Sequence, residues 1–296
     1  MEFVQLLQQA IRYMEEHLLD PIGYEAVAKN VGMSSLHFHR IFSVIVGMTA
    51  NEYIRSRRLS LAGQELQTAD ISVIDAAYKY GYETPESFSK AFSHFHGVTP
   101  KQAKRRGTEL HLFNPLVIKL TVEGGNIMNY RIDKKGSQRF FVLNQSFLAE
   151  TLLDDNGHSI PEFWTACKED GSLKRIQSFR PEGKRDLYGV CGPTGKDESH
   201  FDYGIGILID EDTDVFGMSA LPESGYSIWE TAPSDYAVFK CYGDESDSVS
   251  ETWSKFFKEF IPQTGYSQTD NLDYELYPDQ REPSLFCELW IPVKKD

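Results

Sequence analysis

The sequence predicts two domains: an all-α N-terminal half made of two helix-turn-helix units, and an α+β C-terminal half built on antiparallel sheet with a pseudo-twofold repeat. Three observations carry this expectation. First, a pattern occurs twice in the first hundred residues. Ile22, Ala28, Gly32, Phe38, Phe42, Gly47 and Thr49 return as Ile71, Ala77, Gly81, Phe88, Phe92, Gly97 and Thr99, the second copy being one residue longer in its turn. Second, helical periodicity then gives way to short alternating or apolar runs. Third, charge divides at the same place. Residues 1–107 hold 12 Lys and Arg against 11 Asp and Glu, whereas residues 108–296 hold 18 against 33. The expected domains are therefore 1–107 and 108–296, joined by a short linker near 107–114.

Bulk properties exclude several classes. No run of about 18 apolar residues is present that could span a bilayer, and the N-terminus is amphipathic and acidic, unlike a signal peptide. Cys167, Cys191, Cys241 and Cys287 are scattered without a C-x-x-C pair, which reads as four reduced thiols and no zinc site. A cytoplasmic protein is expected. The acidic second half repels phosphate, so any nucleic-acid contact has to come from a clustered face of the first half.

The N-terminal elements are read in order. Leu7, Ile11, Met14 and Leu18 repeat at 4-3-4 spacing and predict a helix over about 3–18. Pro21 stops it, and a second helix of about 22–30 ends at Gly32. Ser34 caps a third, with Leu36, Phe38, Ile41, Phe42 and Ile45 as its apolar side. Thr49-x-x-Glu52 is a capping box that opens a long helix to about Gln67, turning Ile54, Leu61 and Leu66 inward and exposing Arg55, Arg57 and Arg58. Ser72-x-x-Asp75 reads as another capping box. Thr84-Pro85-Glu86 starts the next helix and Thr99-Pro100 the last, which Gly107 ends. The pairs His37/His39 and His94/His96 point about 200° apart on a helix, so neither chelates a metal.

The runs GMSSLHFHRIFSVIVGMTANEYIRSRRLSLAGQEL and IDAAYKYGYETPESFSKAFSHFHGVTPKQAKR closely resemble the DNA-binding domain of AraC/XylS-type transcription regulators, over about residues 3–107. Gly81-Tyr82 through Phe88, Lys90 and Phe92 carry the signature. The resemblance implies two recognition helices that enter successive major-groove segments on one face of double-stranded DNA. By position, the base-facing residues are Ser35, Leu36, His39 and Arg40 in the first and Glu86, Ser87, Ser89 and Lys90 in the second. Arg40 can pair bidentately with guanine, Leu36 can pack on a thymine methyl, and Glu86 can accept from cytosine. Lys101, Lys104, Arg105 and Arg106 are expected to hold phosphates.

In the C-terminal half, strands are read at LVIKLTV, YRI, RFFVLNQSF, DLYGVCG, YGIGILID, YSIWETA, YAVFKCYG, YELY and LFCELWIPV, with helices at about 161–168 and 249–260. Strands punctuated by two helices argue antiparallel α+β. Trp164 and Trp253 stand 89 residues apart in the two helices, which suggests a duplicated half-domain. IPEFWTACKEDG, FDYGIGILID, the long segment from SDYAVFKCYG to DYELY, and LFCELWIPVKK resemble GyrI-like effector-binding domains over about 127–294. That resemblance implies a groove for bulky, often cationic ligands, with a carboxylate on the last strand. By motif position the carboxylate is Glu288, which shares a strand face with Phe286 and Trp290. The expected aromatic walls are Phe163, Trp164, Tyr188, Phe201, Tyr203 and Trp229. Glu275, in DYELY, is the rival carboxylate. A carboxylate among rings suits a cation that bears apolar area.

Together these features predict a sequence-specific DNA-binding regulator that senses a small cationic or amphipathic aromatic effector, of the kind met in multidrug sensing. The expected partners are promoter DNA and the effector, with RNA polymerase as a further candidate and no membrane contact. No cofactor, metal or catalytic residue is assigned, because 192–195 lacks the Lys-Ser/Thr of a phosphate loop and no Ser/His/Asp set is present. The alternative reading is a GyrI-like small-molecule hydrolase fused to an autoregulatory DNA-binding domain, with Glu288 activating water.

Overall fold

The computed structural model describes residues 2–118, 128–148, 159–183, 185–194, 200–210, 213, 225–243 and 247–295. The chain forms two compact units, Met1–Glu123 and Gly124–Asp296.

The first unit is helical: α1 (Glu2–Glu16), α2 (Tyr24–Asn30), α3 (Ser35–Val46), α4 (Ala50–Thr68), α5 (Val73–Lys79), α6 (Pro85–His96) and α7 (Pro100–Ala103). The repeat is structural. Gly32 and Gly81 hold the α2–α3 and α5–α6 turns at φ +71° and +82°, a region that costs an L side chain strain and glycine nothing. Phe38 and Phe42 are buried in one copy, Phe88 and Phe92 in the other. Thr49 and Glu52 make the reciprocal capping box, and so do Thr99 and Gln102. Ser72 behaves differently. It caps the Asp75 amide, but its hydroxyl donates to the Asp75 carboxylate at 2.6 Å. Asp is one methylene shorter than the Glu of a full capping box, and the return bond to the Ser72 amide is not made.

Two arginines of α4 are tied to other parts of the unit, Arg57 buried and Arg58 half-buried. Arg57 is only 6% exposed. It pairs with Glu15 of α1 through Nε at 2.8 Å and Nη2 at 2.9 Å, and donates to the Phe113 carbonyl. Arg58 donates to the Leu18 and Asp20 carbonyls, each at 2.6 Å. Both arginines are internal ties, and only Arg55 conforms to the expected exposure. The segment expected as a linker also packs here. Gln67 donates to the Thr108 carbonyl, Phe113 N–H donates to Ser60, and Leu116 N–H donates to the Tyr53 hydroxyl.

The second unit contains β1 (Arg131–Lys135), β2 (Gln138–Leu148), α8 (Ile160–Glu169), α9 (Ser172–Ser178), β3 (Leu187–Thr194), β4 (His200–Ile209), β5 (Tyr226–Thr231) and β6 (Ser234–Tyr242). There follow α10 (Asp247–Lys255), a π-helical turn at Phe256–Phe260, α11 (Ile261–Thr264), β7 (Tyr266–Gln268), β8 (Tyr274–Tyr277) and β9 (Leu285–Lys295). The antiparallel sheet runs β1-β6-β9-β8-β3-β4-β2-β5, with β7 on β9. This order is a palindrome of the two halves about the β8–β3 pair, so the twofold repeat is present. Each half also gives its first strand to the other: β1 pairs with β6, and β5 with β2. Of the strand read at LVIKLTV, residues 116–118 are not in a strand and the rest lies outside the described residues. The helix α9 was not anticipated.

The sheet is rolled. Phe140 on β2 and Tyr274 on β8 are three strand spacings apart, about 14 Å on a flat sheet, yet their rings are 5.2 Å apart. The concave face thus closes on its own side chains, among them Phe140, Val142, Tyr188, Tyr236, Tyr274 and Trp290. The other face is covered by helices, with Ile176 of α9 packed among Phe141, Ile207 and Tyr226. Among the described residues no helix is long and apolar enough to cross a membrane.

Candidate functional sites

In the first unit, α3 and α6 present unequal faces. Glu86, Ser87, Lys90 and His94 of α6 are exposed, and Ser89 is half-buried. On α3, Leu36, His37 and Arg40 are half-buried. Two expected base contacts are not available there. Ser35 is buried, and His39 is 1% exposed with its ring 5.2 Å from that of Tyr24. The cause is helical phase: Ser35, His39 and Phe42 lie at i, i+4 and i+7, the side that packs against α2. Aligning the repeats would have shown a better candidate, since His37 stands where Ser87 stands in α6. His94, one turn beyond Lys90, was also missed.

Burial, reinforced by the positive charge of Arg40, holds the His39 imidazole down at about 4. Neither ring nitrogen has a hydrogen-bond partner. The folded pKa lies below the unfolded value of about 6.5, so between pH 6.5 and 4 only the unfolded chain binds the proton. Stability therefore falls as pH falls through that window. We expect this residue to cost the helical unit about 2 kcal/mol between pH 7 and pH 5, and His39→Leu to remove that loss. Urea titrations at the two pH values test this. An unchanged pH dependence in the variant would refute it.

In the second unit, the nine expected effector residues divide between the two sides of the sheet, with Phe163 and Trp164 on α8. Glu288, Tyr188, Trp229 and Trp290 belong to the concave face, where Tyr188 and Trp290 are core residues. Glu288 is satisfied there. Arg131 grips it bidentately at 2.9 and 2.7 Å, and Trp290 Nε1 donates to it at 3.2 Å. Its side chain is 13% exposed. Glu288 is thus engaged by Arg131 and Trp290, where the sequence reading left it open among the rings. Phe201 is also core, stacked on Phe147 at 5.7 Å, and Phe286 packs edge-on against Tyr277.

The opposite face brings together a different set around the rival carboxylate. Glu275 Oε2 accepts from the Tyr203 hydroxyl at 2.8 Å and from the Tyr277 hydroxyl at 2.7 Å. Trp164 of α8 donates Nε1 to Tyr203 at 3.1 Å, and its ring lies 5.0 Å from that of Tyr277. Burial first, then the Glu275 charge, pushes both phenols well up, so they remain donors. Gly189 faces this cluster from β3, paired with Glu275. A Cβ there would stand 1.9 Å from the Tyr203 hydroxyl and 2.8 Å from Glu275 Oε2. Of the expected walls, Trp164 and Tyr203 are in this cage. Tyr277 and Gly189 were missed, although alternation along DYELY places Tyr277 on the face of Glu275. No group of three or more metal-binding side chains occurs among the described residues.

With this geometry established, comparison with known proteins defines the class. Residues 27–106 match the model of a helix-turn-helix domain, and residues 138–293 match that of an integron-associated effector binding protein. The protein is a DNA-binding transcription regulator of the AraC type with a GyrI-like second domain. The second match spans more than half of the chain, which belongs to the integron-associated effector-binding protein family. The regulatory protein SoxS of Salmonella typhimurium is 35% identical over 106 residues, 36% of this chain and 99% of its own. The transcriptional activator AarP of Providencia stuartii is 34% identical over 115 residues, 38% of this chain and 85% of its own. Among solved structures, SAV2435 bound to tetraphenylphosphonium is 21% identical, covering 56% of this chain and 94% of its own at a TM-score of 0.43. The Vibrio cholerae integron cassette protein VCH_CASS2 is 13% identical, covering 56% and 95% at 0.39.

Proposed function

We propose that this regulator reads a bipartite, asymmetric promoter site with α3 and α6, and that its second domain senses a lipophilic cation bearing aromatic area. Leu36, His37, Arg40, Glu86, Ser87, Ser89, Lys90 and His94 are the groove-facing set. The observation that carries the effector reading is Glu275, a carboxylate held by two tyrosine hydroxyls and overhung by Trp164. A cation entering here gains Coulomb attraction and ring contact together. A neutral molecule of the same shape gains only the latter. The role assigned to Glu275 is to bind charge rather than to activate water. The protein acts in the cytoplasm, where occupancy of the promoter alters recruitment of RNA polymerase. The effector regulates only by its difference in affinity between DNA-bound and free states.

Calorimetry with tetraphenylphosphonium as probe tests this reading, with tetraphenylborate as its charge-reversed counterpart. Glu275→Gln is expected to weaken the cation by about 2 kcal/mol, roughly 30-fold, whereas Glu288→Gln leaves affinity within about threefold. Equal loss in both variants, or equal binding of the borate, overturns the site. Cation binding that leaves promoter affinity unchanged overturns the regulatory coupling.

A further inference from the structure

The chain has four cysteines, all reduced and buried. Two of them are neighbours in space: Cys241 on β6 and Cys287 on β9 are direct partners in the antiparallel register. They are 1% and 0% exposed, on the helix-covered face, where the Cys241 thiol donates to Thr252 Oγ1 of α10 at 3.3 Å. Thr252 in turn donates to the Ser248 carbonyl at 2.7 Å. Neither the reading of DNA nor the Glu275 cage uses this pair.

We propose that Cys241 and Cys287 are an oxidisable dithiol site that hydrogen peroxide closes to a disulfide across β6 and β9. Directly opposed residues have Cβ atoms about 4.5–5.5 Å apart, and a disulfide needs about 3.5–4.5 Å. Closure therefore asks the strands to approach by about an ångström. The pairing register slips immediately beside the pair, between Cys241 and Tyr242. Tyr242 is exposed, so the site lies at an irregular end of the ladder, where local opening admits a small oxidant.

The two thiols are chemically unequal. The hydrogen bond from Cys287 draws the Cys241 thiol below its ordinary value and raises that of Cys287. Cys241, which sits beside the register slip, is the first sulfur an entering oxidant meets and is assigned the attack. It loses its proton, its lone pair attacks one peroxide oxygen, the O–O bond breaks, and water leaves once that proton is returned to the departing hydroxide. The resulting sulfenic acid is attacked by the Cys287 sulfur. Its S–O bond breaks, and the departing hydroxide takes the Cys287 proton as a second water. Two thiols lose two electrons in total and one peroxide gains them. Cys167 is differently placed, since burial and then Asp170 push its thiol up to about 11.

The inference does not depend on the effector reading, and the full-length protein tests it. After treatment with hydrogen peroxide and alkylation in denaturant, two of the four cysteines are expected to be blocked. The unalkylated chain should be roughly 2 Da lighter, and dithiothreitol should restore both thiols. Trypsin cuts after Lys240, Lys255, Arg281 and Lys294, so the link appears as peptide 241–255 joined to 282–294. In Cys287→Ser, or Cys287→Ala if the first does not fold, Cys241 stops as a sulfenic acid that dimedone traps. Cys167→Ser leaves the yield unchanged. Folded protein that keeps four free thiols at peroxide levels that oxidise glutathione overturns the proposal. So does a link through Cys167 or Cys191.

Discussion

Arg57→Ala is expected to destabilise the helical unit by about 3 kcal/mol, which for a unit of this size lowers its melting temperature by on the order of 15 °C. The substitution leaves Glu15 without its bidentate partner, and Glu15 keeps only the Tyr53 hydroxyl at 2.6 Å. It also frees the Phe113 carbonyl that Arg57 binds. A buried charge deprived of its partner costs more than the pair was worth, because desolvation is no longer offset. Burial alone would raise the Glu15 carboxyl, but the bonds from Arg57 and Tyr53 outweigh it and hold the group below its ordinary value. The stability that this depression supplies is complete above the ordinary carboxylate range and is lost as pH falls through the folded value. Removing both charges, as Glu15→Gln with Arg57→Met, should therefore recover most of the loss. Thermal unfolding followed by circular dichroism decides the matter. A single-variant effect below about 1 kcal/mol would mean that water reaches the pair freely.

Arg40→Ala combined with Lys90→Ala is expected to abolish sequence selection by the full-length protein. Each good contact to a base edge is worth about 1–3 kcal/mol, so the double variant should bind a selected site roughly 30- to 20,000-fold more weakly. The two side chains come from equivalent positions of α3 and α6, six residues beyond the N-caps Ser34 and Thr84. Selection from a random duplex library should yield two elements about one helical turn apart. Each single variant should erase one element and keep the other. A single variant that erases both, or an enrichment unchanged in the double variant, would remove these side chains from the interface.

Much of this architecture was legible in the sequence because its signals are local. Cap residues, turn glycines and the i, i+4 phenylalanines are read within one or two turns of chain, and the helices begin at Ser34, Thr49, Thr84 and Thr99 as the side chains dictate. What failed depended on contacts between distant segments. The burial of His39 comes from Tyr24 on α2, and that of Arg57 from Glu15 on α1. Glu288 was read from its strand alone, whereas its fate is set by Arg131, 157 residues away in sequence. Alternation sorts the side chains of each strand between two faces, but it could not say which face the helices cover. The rolling of the sheet decides that, and no single strand encodes it.

The strand-exchanged repeat has a consequence for how a single carboxylate can stand on the symmetry axis of this domain. Matching the ends and registers of the strands carries Gly189 onto Glu275, the two residues that oppose each other across the symmetry axis. A homodimer of identical halves must place the same residue at both positions. Two glycines leave the centre without charge. Two glutamates would set like charges side by side, and a Cβ at the position of Gly189 would already stand 1.9 Å from the Tyr203 hydroxyl. Joining the halves in one chain lets the partners on the axis differ. One strand can then give up its side chain so that the other keeps a single carboxylate, and a symmetric scaffold acquires an asymmetric, singly charged centre.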